Sequence, residues 1–401
     1  MLTLSAIEAA RARVAGQVRR TPCTPSVVLS ELTGSDVYLK FENLQITGSF
    51  KERGACNKLE LLAVSERRAG VITASAGNHA QAVAYHAARL GIRSTVVMPE
   101  ATPLIKVTSA RRYGATVHLH GTNYDEAAAL AATLASEHGY TYVHPFDDLD
   151  VMAGQGTIAF ELLEQVPDLQ AIVVPVGGGG LLAGIACAAK EREPSLRVYG
   201  VESQTFPGMQ QALRRDRVSV IPGGKTIADG IAVRRVGKHT VDVVRRYTDD
   251  IALVDEEEIA HAILLLLERE KTVVEGAGAV GLAAVLGGYL PVKGQRVVIV
   301  LSGGNIDVNL MSRIIERGLV KTGRVVRLFL TLPDVTGALA GVTQLLAELR
   351  ANIVEINHDR AFSGAELGQT SIELVLETHG FTHITQIRGA LAERGYPIRD
   401  L

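Results

Sequence analysis

The stretch Ala171-Ile-Val-Val-Pro-Val-Gly177-Gly-Gly-Gly180-Leu181 decides the fold. Ala171–Val176 is a short, uncharged, β-branched run, which suits a strand buried on both faces of a parallel sheet. Leu181–Lys190 has the Ala- and Leu-rich composition of a helix. The glycines Gly177, Gly178, Gly179 and Gly180 between them let the backbone curl, so that successive N–H groups and the helix N-terminus converge on one anion. No Lys-Ser/Thr pair follows, which excludes the nucleotide P-loop. A glycine cluster can also be no more than a tight turn; an unbroken run at a strand–helix junction favours a phosphate.

Outward from this unit the same alternation recurs. Val37–Phe41, Gly70–Ala74, Ser94–Met98, Ala115–Leu119, Arg197–Val201 and Arg296–Leu301 read as strands. His79–Leu90, Leu104–Tyr113, Asp125–His138, Gly154–Val166 and Glu256–Glu268 read as helices. Strand, glycine turn, helix in repetition predicts βαβ units and a mostly parallel sheet, with chemistry at the carboxyl ends of the strands. From Val325 the order changes to strand (Val326–Leu332), helix (Gly337–Leu349), strands (Asn352–Arg360 and Gln369–Thr378), helix (Thr382–Arg394) and a short final strand. That βαββαβ order makes residues 326–401 a small domain of their own, with Arg317–Arg324 expected as the linker.

The chain has 401 residues, a net charge of −2 and an apolar fraction of 47%. Its length favours two or three domains, and so small a charge gives no electrostatic case for nucleic acid or an acidic membrane. Cys23, Cys56 and Cys187 have neither metal-ligand spacing nor the even count of a disulfide framework. Charges interrupt Met1–Arg20, so no signal peptide is expected, and no apolar run is long enough to span a membrane. The expected setting is the cytoplasm, and the expected partner a small molecule.

Four stretches could carry chemistry. In Lys40-Phe-Glu-Asn-Leu-Gln-Ile-Thr-Gly-Ser-Phe-Lys51-Glu-Arg-Gly-Ala55, Lys51 follows Phe50 at the head of a helix. Desolvation beside an aromatic ring lowers a lysine pKa enough for a Schiff base with an aldehyde cofactor, whereas an arbitrary lysine is simply solvated. The second is the tetraglycine run with Leu181. The third is Thr73-Ala-Ser75-Ala76-Gly77-Asn78-His79, whose small residues, free N–H groups and Ser75 hydroxyl could clamp a substrate carboxylate, while the Asn78 amide could hydrogen-bond a phenolate oxygen. His79 reads as structural, because a Schiff-base lysine already supplies a base. The fourth is Ser302-Gly-Gly-Asn305, by itself a turn or helix cap.

Together, in this order and spacing, these stretches resemble the fold-type-II pyridoxal-phosphate enzymes, and in particular the threonine dehydratases. The Gly48–Ala55 stretch is similar to the Gly-Ser-Phe-Lys-x-Arg-Gly-Ala motif that threonine dehydratases share with serine racemases. The resemblance covers residues 5–320 and includes Thr226–Val233 and Val274–Gly278. It implies two open α/β subdomains, the smaller (residues 46–148) inserted in the larger, within a catalytic domain spanning 1–320. Lys51 would carry the pyridoxal 5'-phosphate, Phe50 would pack against its ring and Asn78 would contact its 3' oxygen. Gly177–Leu181 would hold the phosphate, Ser302 would face the pyridine nitrogen, and Ser75–His79 would bind the substrate. The implied reaction removes water and ammonia from L-threonine, and more weakly from L-serine, with Lys51 as the base at Cα. Racemases of this family carry a second serine after the position of Ser75; Ala76 stands here and cannot donate a proton.

The terminal unit, with Pro333-Asp334-Val335-Thr336-Gly337-Ala338-Leu339 at its first strand–helix turn, resembles an ACT domain. That implies a bound amino-acid effector, isoleucine or valine, at Asp334–Leu339, and a homo-oligomer, dimer or tetramer. Three alternatives stand beside this reading: an L-serine dehydratase or serine racemase, a β-replacing synthase, and a non-catalytic amino-acid sensor on the same scaffold. Glu202 could contribute to a cation site, but Ser203–Gly208 offers no convincing second ligand, so no metal is expected.

Overall fold

The computed structural model describes residues 1–360 and 366–399. It divides into two compact units, Met1–Asp307 and Val308–Leu401.

The first unit holds two sheets. A six-stranded sheet runs in the order Cys23–Pro25, Asp36–Phe41, Arg296–Leu301, Ala171–Pro175, Arg197–Ser203, Asp250–Val254. All its pairings are parallel except the first. A four-stranded parallel sheet, Thr116–Leu119, Ser94–Met98, Val71–Ala74, Thr141–Tyr142, is inserted in the chain between Asp36–Phe41 and Ala171–Pro175 of the first. Every residue of Ala171–Pro175, Ser94–Met98 and Val71–Ala74 is buried, as strands covered by helices on both faces require.

Helix ends are set by local chemistry. Asn123 Oδ1 accepts from Glu126 N at the start of Tyr124–His138, and Gly139, left-handed at φ +67°, stops it. Asp148 caps Leu149–Gln165 through Asp150 N and Val151 N, so that helix begins five residues earlier than the apolar periodicity predicts. Within it, a Cβ on Gly154 would collide with the backbone of Arg53 and Gly54, and Gly184 lies equally tight against Met152 and Gly156. Three helices, Lys51–Glu60, Leu149–Gln165 and Gly180–Arg192, therefore approach backbone to backbone. This fixes the helix headed by Lys51 against the one headed by the glycine run.

Charge reinforces that packing. Arg53 is wholly buried, with Nε and Nη2 donating to Glu42 at 2.8 and 2.7 Å and Nη1 to Glu161 at 2.6 Å. Lys40, also buried, donates to the same Glu161 at 2.5 Å. Two cations meet two carboxylates, so the cluster is neutral, as burial demands.

The elements predicted from sequence are present with ends moved by a few residues. Among the elements that the sequence reading does not predict are the helix Val27–Thr33, the strand Asp250–Val254 and the helices Lys238–Tyr247 and Gly276–Leu286. In the last of these every residue from Gly276 to Val285 is buried, so no polar face existed to reveal a helical period.

In the second unit the helix Val308–Lys321 is followed by strands Val325–Pro333, Asn352–Asp359, Gln369–Glu377 and Ile398–Arg399 and helices Ala338–Glu348 and Phe381–Glu393. The antiparallel sheet has the order Asn352–Asp359, Gln369–Glu377, Val325–Pro333, Ile398–Arg399, the ferredoxin-like βαββαβ arrangement. Alternate residues Leu328, Leu330, Leu332 and Ile372, Leu374, Leu376 make its core with Val342, Leu346, Ile387 and Leu391. The linker expected at Arg317–Arg324 needs correction: the helix continues to Lys321, with Gly318 tolerated inside it, and only Thr322–Arg324 separates it from the strand.

Candidate active site

Lys51 opens its helix directly after Phe50, and its amine stands 5.2 Å from the centre of that ring. Nζ donates to the carbonyl of Pro145 at 2.7 Å. Burial disfavours the charged amine and lowers its pKa to about 8, with the Glu275 carboxylate opposing. A lysine so placed holds a substantial neutral, nucleophilic fraction near neutral pH, which an exposed lysine does not.

Ser302 is brought to it by backbone pairing. Phe50 N donates to Ser302 O at 3.0 Å, Gly304 N donates to Gly48 O at 2.9 Å, and Ser49 bridges Gly303. The Thr-Gly-Ser turn before Lys51 and the Ser-Gly-Gly-Asn turn after the strand Arg296–Leu301 are thus one structure, although some 250 residues separate them in the chain. Ser302 itself is buried.

The glycine run sits as the sequence places it, between Ala171–Pro175 and Gly180–Arg192. Gly179, at φ +96°, occupies the N-cap in a left-handed conformation and brings no capping side chain. The first N–H groups of the helix are therefore left for an anion. The run also answers to packing. A Cβ on Gly178 would overlap the ring of Phe146, one on Gly180 would lie 2.9 Å from Phe146 O, and one on Gly177 3.0 Å from Ile231 Cα.

The link between lysine and cradle is a stretch that sequence reading passed over, Val143-His-Pro-Phe-Asp147. Pro145 O receives the Lys51 amine, and the next residue, Phe146, lies on the glycine run. Amine and cradle thus flank a single dipeptide. Val143 O accepts from Thr73 Oγ1 and pairs with His79 Nε2, at 2.8 and 3.0 Å. His144 Nδ1 accepts from Phe146 N and Asp147 N, at 3.2 and 2.8 Å. The Asp147 carboxylate takes the N–H groups of Lys238, His239 and Thr240 at the start of Lys238–Tyr247. The only sequence signal was a Pro between a short strand and an Asp-capped helix, which reads as an ordinary turn.

Ser75, Ala76, Gly77 and Asn78 are half-buried at the end of the strand Val71–Ala74, where the helix Asn78–Arg89 begins. Gly77 is the N-cap, without a side-chain cap, and a Cβ added there would meet no atom within 4 Å. Free N–H groups facing open space suit a carboxylate. His79 is different: its side chain is buried, and burial first, then the Lys51 charge, pushes its pKa down to about 3. Only its backbone belongs with the uncapped turn at Gly77.

Asn78 is held on both sides of its carboxamide. Its Nδ2 donates to Glu275 Oε1 at 2.8 Å, and its Oδ1 accepts from Asn305 Nδ2 at 2.6 Å. Glu275 is buried, and burial, helped by Asp229, raises its pKa to about 8 against the pull of the Asn78 hydrogen bond. Thr226–Val233, singled out from sequence only through the family resemblance, packs beside these residues: Ile231 abuts Gly177, Gly230 abuts Glu275 and Ala277, and Asp229 pairs with Lys106 at 2.7 Å.

Glu202, considered as a cation ligand, is buried and accepts from Met209 N and Gln210 N at 2.7 and 2.9 Å. Among the described residues no group of three or more His, Cys, Asp or Glu could hold a metal ion. None of the described helices is long and apolar enough to cross a membrane. In the second unit, Asp334–Gly337 forms the turn between the strand Val325–Pro333 and the helix Ala338–Glu348. Gly337 there is left-handed at φ +88° and no side chain caps the helix.

Residues 14–303 match a family model described as a pyridoxal-phosphate dependent enzyme. An L-threonine ammonia-lyase of Thermotoga maritima is 49% identical over 399 residues, covering 100% of this chain and 99% of that protein. Among solved structures, the processed form of threonine deaminase isoform 2 from Solanum lycopersicum superposes with a TM-score of 0.75 at 36% identity, over 78% of this chain and 87% of that one. A serine racemase from Dictyostelium discoideum gives 0.72 at 38% identity, over 77% and 99%.

Proposed function

The chain belongs to the pyridoxal-phosphate-dependent enzyme family, and from that premise we propose that it is an L-threonine ammonia-lyase, converting threonine to 2-oxobutanoate and ammonia. The observation that carries the chemistry is Lys51: a desolvated amine with a lowered pKa, beside the Phe50 ring and bonded to Pro145, whose neighbour Phe146 packs on the glycine run. The substrate follows from the full-length likeness to a threonine ammonia-lyase.

The residues fit the coenzyme. Gly177–Leu181 would take its phosphate through backbone N–H groups, Phe50 would lie against its ring, Asn78 would meet its ring oxygen, and the Ser302 hydroxyl would face its pyridine nitrogen. When bound, the coenzyme supplies an electron sink for the charge left at Cα. Ser75–Asn78 and the N–H of His79 fix the substrate carboxylate, and with it the direction of the Cα–H bond. Lys51 would hold the coenzyme and, as a free amine, would take the Cα proton through Nζ. A serine hydroxyl stabilises a protonated pyridine less than a carboxylate would, which favours loss of the β-hydroxyl over transamination. Ala76 offers no proton on the opposite face, so the reading is a lyase and not a racemase.

Residues 1–320 are the catalytic domain in this reading, with the sheet-bearing segment 46–148 as its inserted subdomain. Residues 326–401 form an ACT-like regulatory domain that binds isoleucine or valine at Asp334–Leu339, in a cytoplasmic homo-oligomer. Purified protein assayed on threonine and serine, with and without isoleucine, valine and AMP, tests these statements together. The expected result is a higher kcat/KM for threonine and an amino-acid response that disappears when 326–401 are deleted. A response that survives the deletion would remove the regulatory assignment.

A further inference from the structure

Asn78 is held by a chain of hydrogen bonds whose direction is set at its far end. The carbonyl of Thr47 can only accept, and it takes Asn305 Nδ2 at 2.8 Å. Asn305 must therefore turn nitrogen toward Thr47, and the same Nδ2 reaches Asn78 Oδ1 at 2.6 Å. Asn78 must then turn oxygen toward Asn305 and nitrogen toward Glu275 Oε1, 2.8 Å away. Reversing the Asn78 amide would set nitrogen against nitrogen on one side and oxygen against the Glu275 oxygen on the other. An amide nitrogen carries two hydrogens. One goes to Glu275, and the second N–H is what Asn78 has left to offer a ligand.

Glu275 is well placed to anchor the other side of the Asn78 amide. It is buried, it sits at the N-cap of Gly276–Leu286, and its own N–H donates to Gly303 O at 3.0 Å, so it cannot move independently of the Ser302–Asn305 turn. A Cβ on Gly303 would lie 3.1 Å from Asn78 Nδ2, so the turn closes tightly over the Asn78 amide. The charged groups that bear on Glu275 are Lys51 from its helix, Asp229 from the 226–233 loop and Lys106, the partner of Asp229.

We propose that Glu275, with Asn305, is a positioning residue that locks the Asn78 carboxamide as a hydrogen-bond donor toward the ring oxygen of the coenzyme. This rests on the reading of Asn78 as the contact to that oxygen. A donor at that point stabilises negative charge on the ring oxygen; with Glu275 gone only Asn305 would hold the amide, and any turn away from the donor orientation would bring its carbonyl against the same charge. Glu275 acts by accepting, and either a carboxyl or a carboxamide oxygen can accept, so the two predict the same Asn78 orientation.

The test compares the absorbance band of the bound coenzyme and its pH titration in holoenzymes of the wild type and of the Asn78→Ala, Glu275→Leu and Glu275→Gln variants. Coenzyme retention on dialysis and thermal unfolding are measured alongside. Asn78→Ala and Glu275→Leu are expected to shift the band and its titration in the same direction and to weaken retention by roughly tenfold or more, the effect of one unsatisfied buried donor. Glu275→Gln, which keeps an acceptor, is expected to restore the wild-type band and to hold retention within about threefold. A moved band in Asn78→Ala with a wild-type band in Glu275→Leu would overturn the positioning role and leave the site reading intact. An unmoved band in Asn78→Ala would instead remove the Asn78 contact itself. If Glu275→Leu does not fold, the Gln variant decides: a band displaced as in Asn78→Ala refutes the acceptor role, and an undisplaced one supports it.

Discussion

Replacing Arg53 by methionine tests the idea that a buried, neutral charge cluster holds the Lys51 helix in place. The guanidinium is wholly buried and donates to both oxygens of Glu42, at 2.7 and 2.8 Å, and to Glu161. Without it, Glu161 keeps Lys40, but Glu42 retains only Thr21 Oγ1 at 2.6 Å and Gln45 Nε2 at 3.2 Å. The cluster then carries one uncompensated negative charge, and breaking such a buried pair costs about 3–5 kcal/mol. The pH dependence identifies the cause. In the wild type, burial pushes the Glu42 pKa up, but the Arg53 charge and hydrogen bonds more than offset this and hold it below 4.5. That contribution is fully present above the unfolded pKa and is lost only as pH falls through the depressed value. In Arg53→Met burial, the largest cause, is opposed only by the Lys40 charge and the hydrogen bonds from Thr21 and Gln45, so Glu42 is expected to bind a proton more tightly folded than unfolded, and its penalty grows as pH rises. Urea unfolding of the two holoenzymes at pH 8 and pH 5.5 should therefore show a large deficit at pH 8 that shrinks at pH 5.5. Glu202 and Glu275, both with pKa values raised to about 8, act equally in both proteins and cancel in the difference. A deficit below about 1 kcal/mol at pH 8, the size of an ordinary surface pair, or one equal at both pH values, would refute the reasoning.

Other consequences are open to direct measurement. The Lys51 amine, with a pKa lowered to about 8, should make the rate of coenzyme capture by apoenzyme rise with pH to a plateau, half-maximal near that value; a midpoint above pH 10 would mean an ordinary solvated lysine. Lys51→Ala should abolish deamination while leaving the thermal unfolding temperature within a few degrees. Gly178→Ala sets a methyl group into the Phe146 ring, so coenzyme retention should fall by roughly tenfold or more, with partial recovery in the double variant carrying Phe146→Leu; additive losses would show that the two residues do not meet. Ala76→Ser should bring in traces of D-allo-threonine from pure L-threonine, the product of inversion at Cα alone, seen by chiral chromatography, because it places a hydroxyl where the racemases have one.

Much of this protein is legible along one dimension. Strand, glycine turn and helix follow each other within a dozen residues, so the βαβ units, the glycine cradle, the head of the Lys51 helix and the terminal βαββαβ unit all announce themselves through local period and composition. Where local period fails, so does the reading: Gly276–Leu286 is buried on all sides and shows none, and the Arg317–Arg324 segment, rich in charge and glycine, extends a helix into an apparent linker. Only tertiary structure could join Phe50 to Ser302, Lys51 to Pro145, Phe146 to Gly178, and Asn78 to Glu275 and Asn305. Those contacts link residues roughly 30 to 250 positions apart, and no periodicity encodes them. They depend on how helices with glycine at their crossings close on one another, which is a property of packing in three dimensions. The amino-acid order determined which groups are available for the chemistry, and the fold decided the direction in which each of them points.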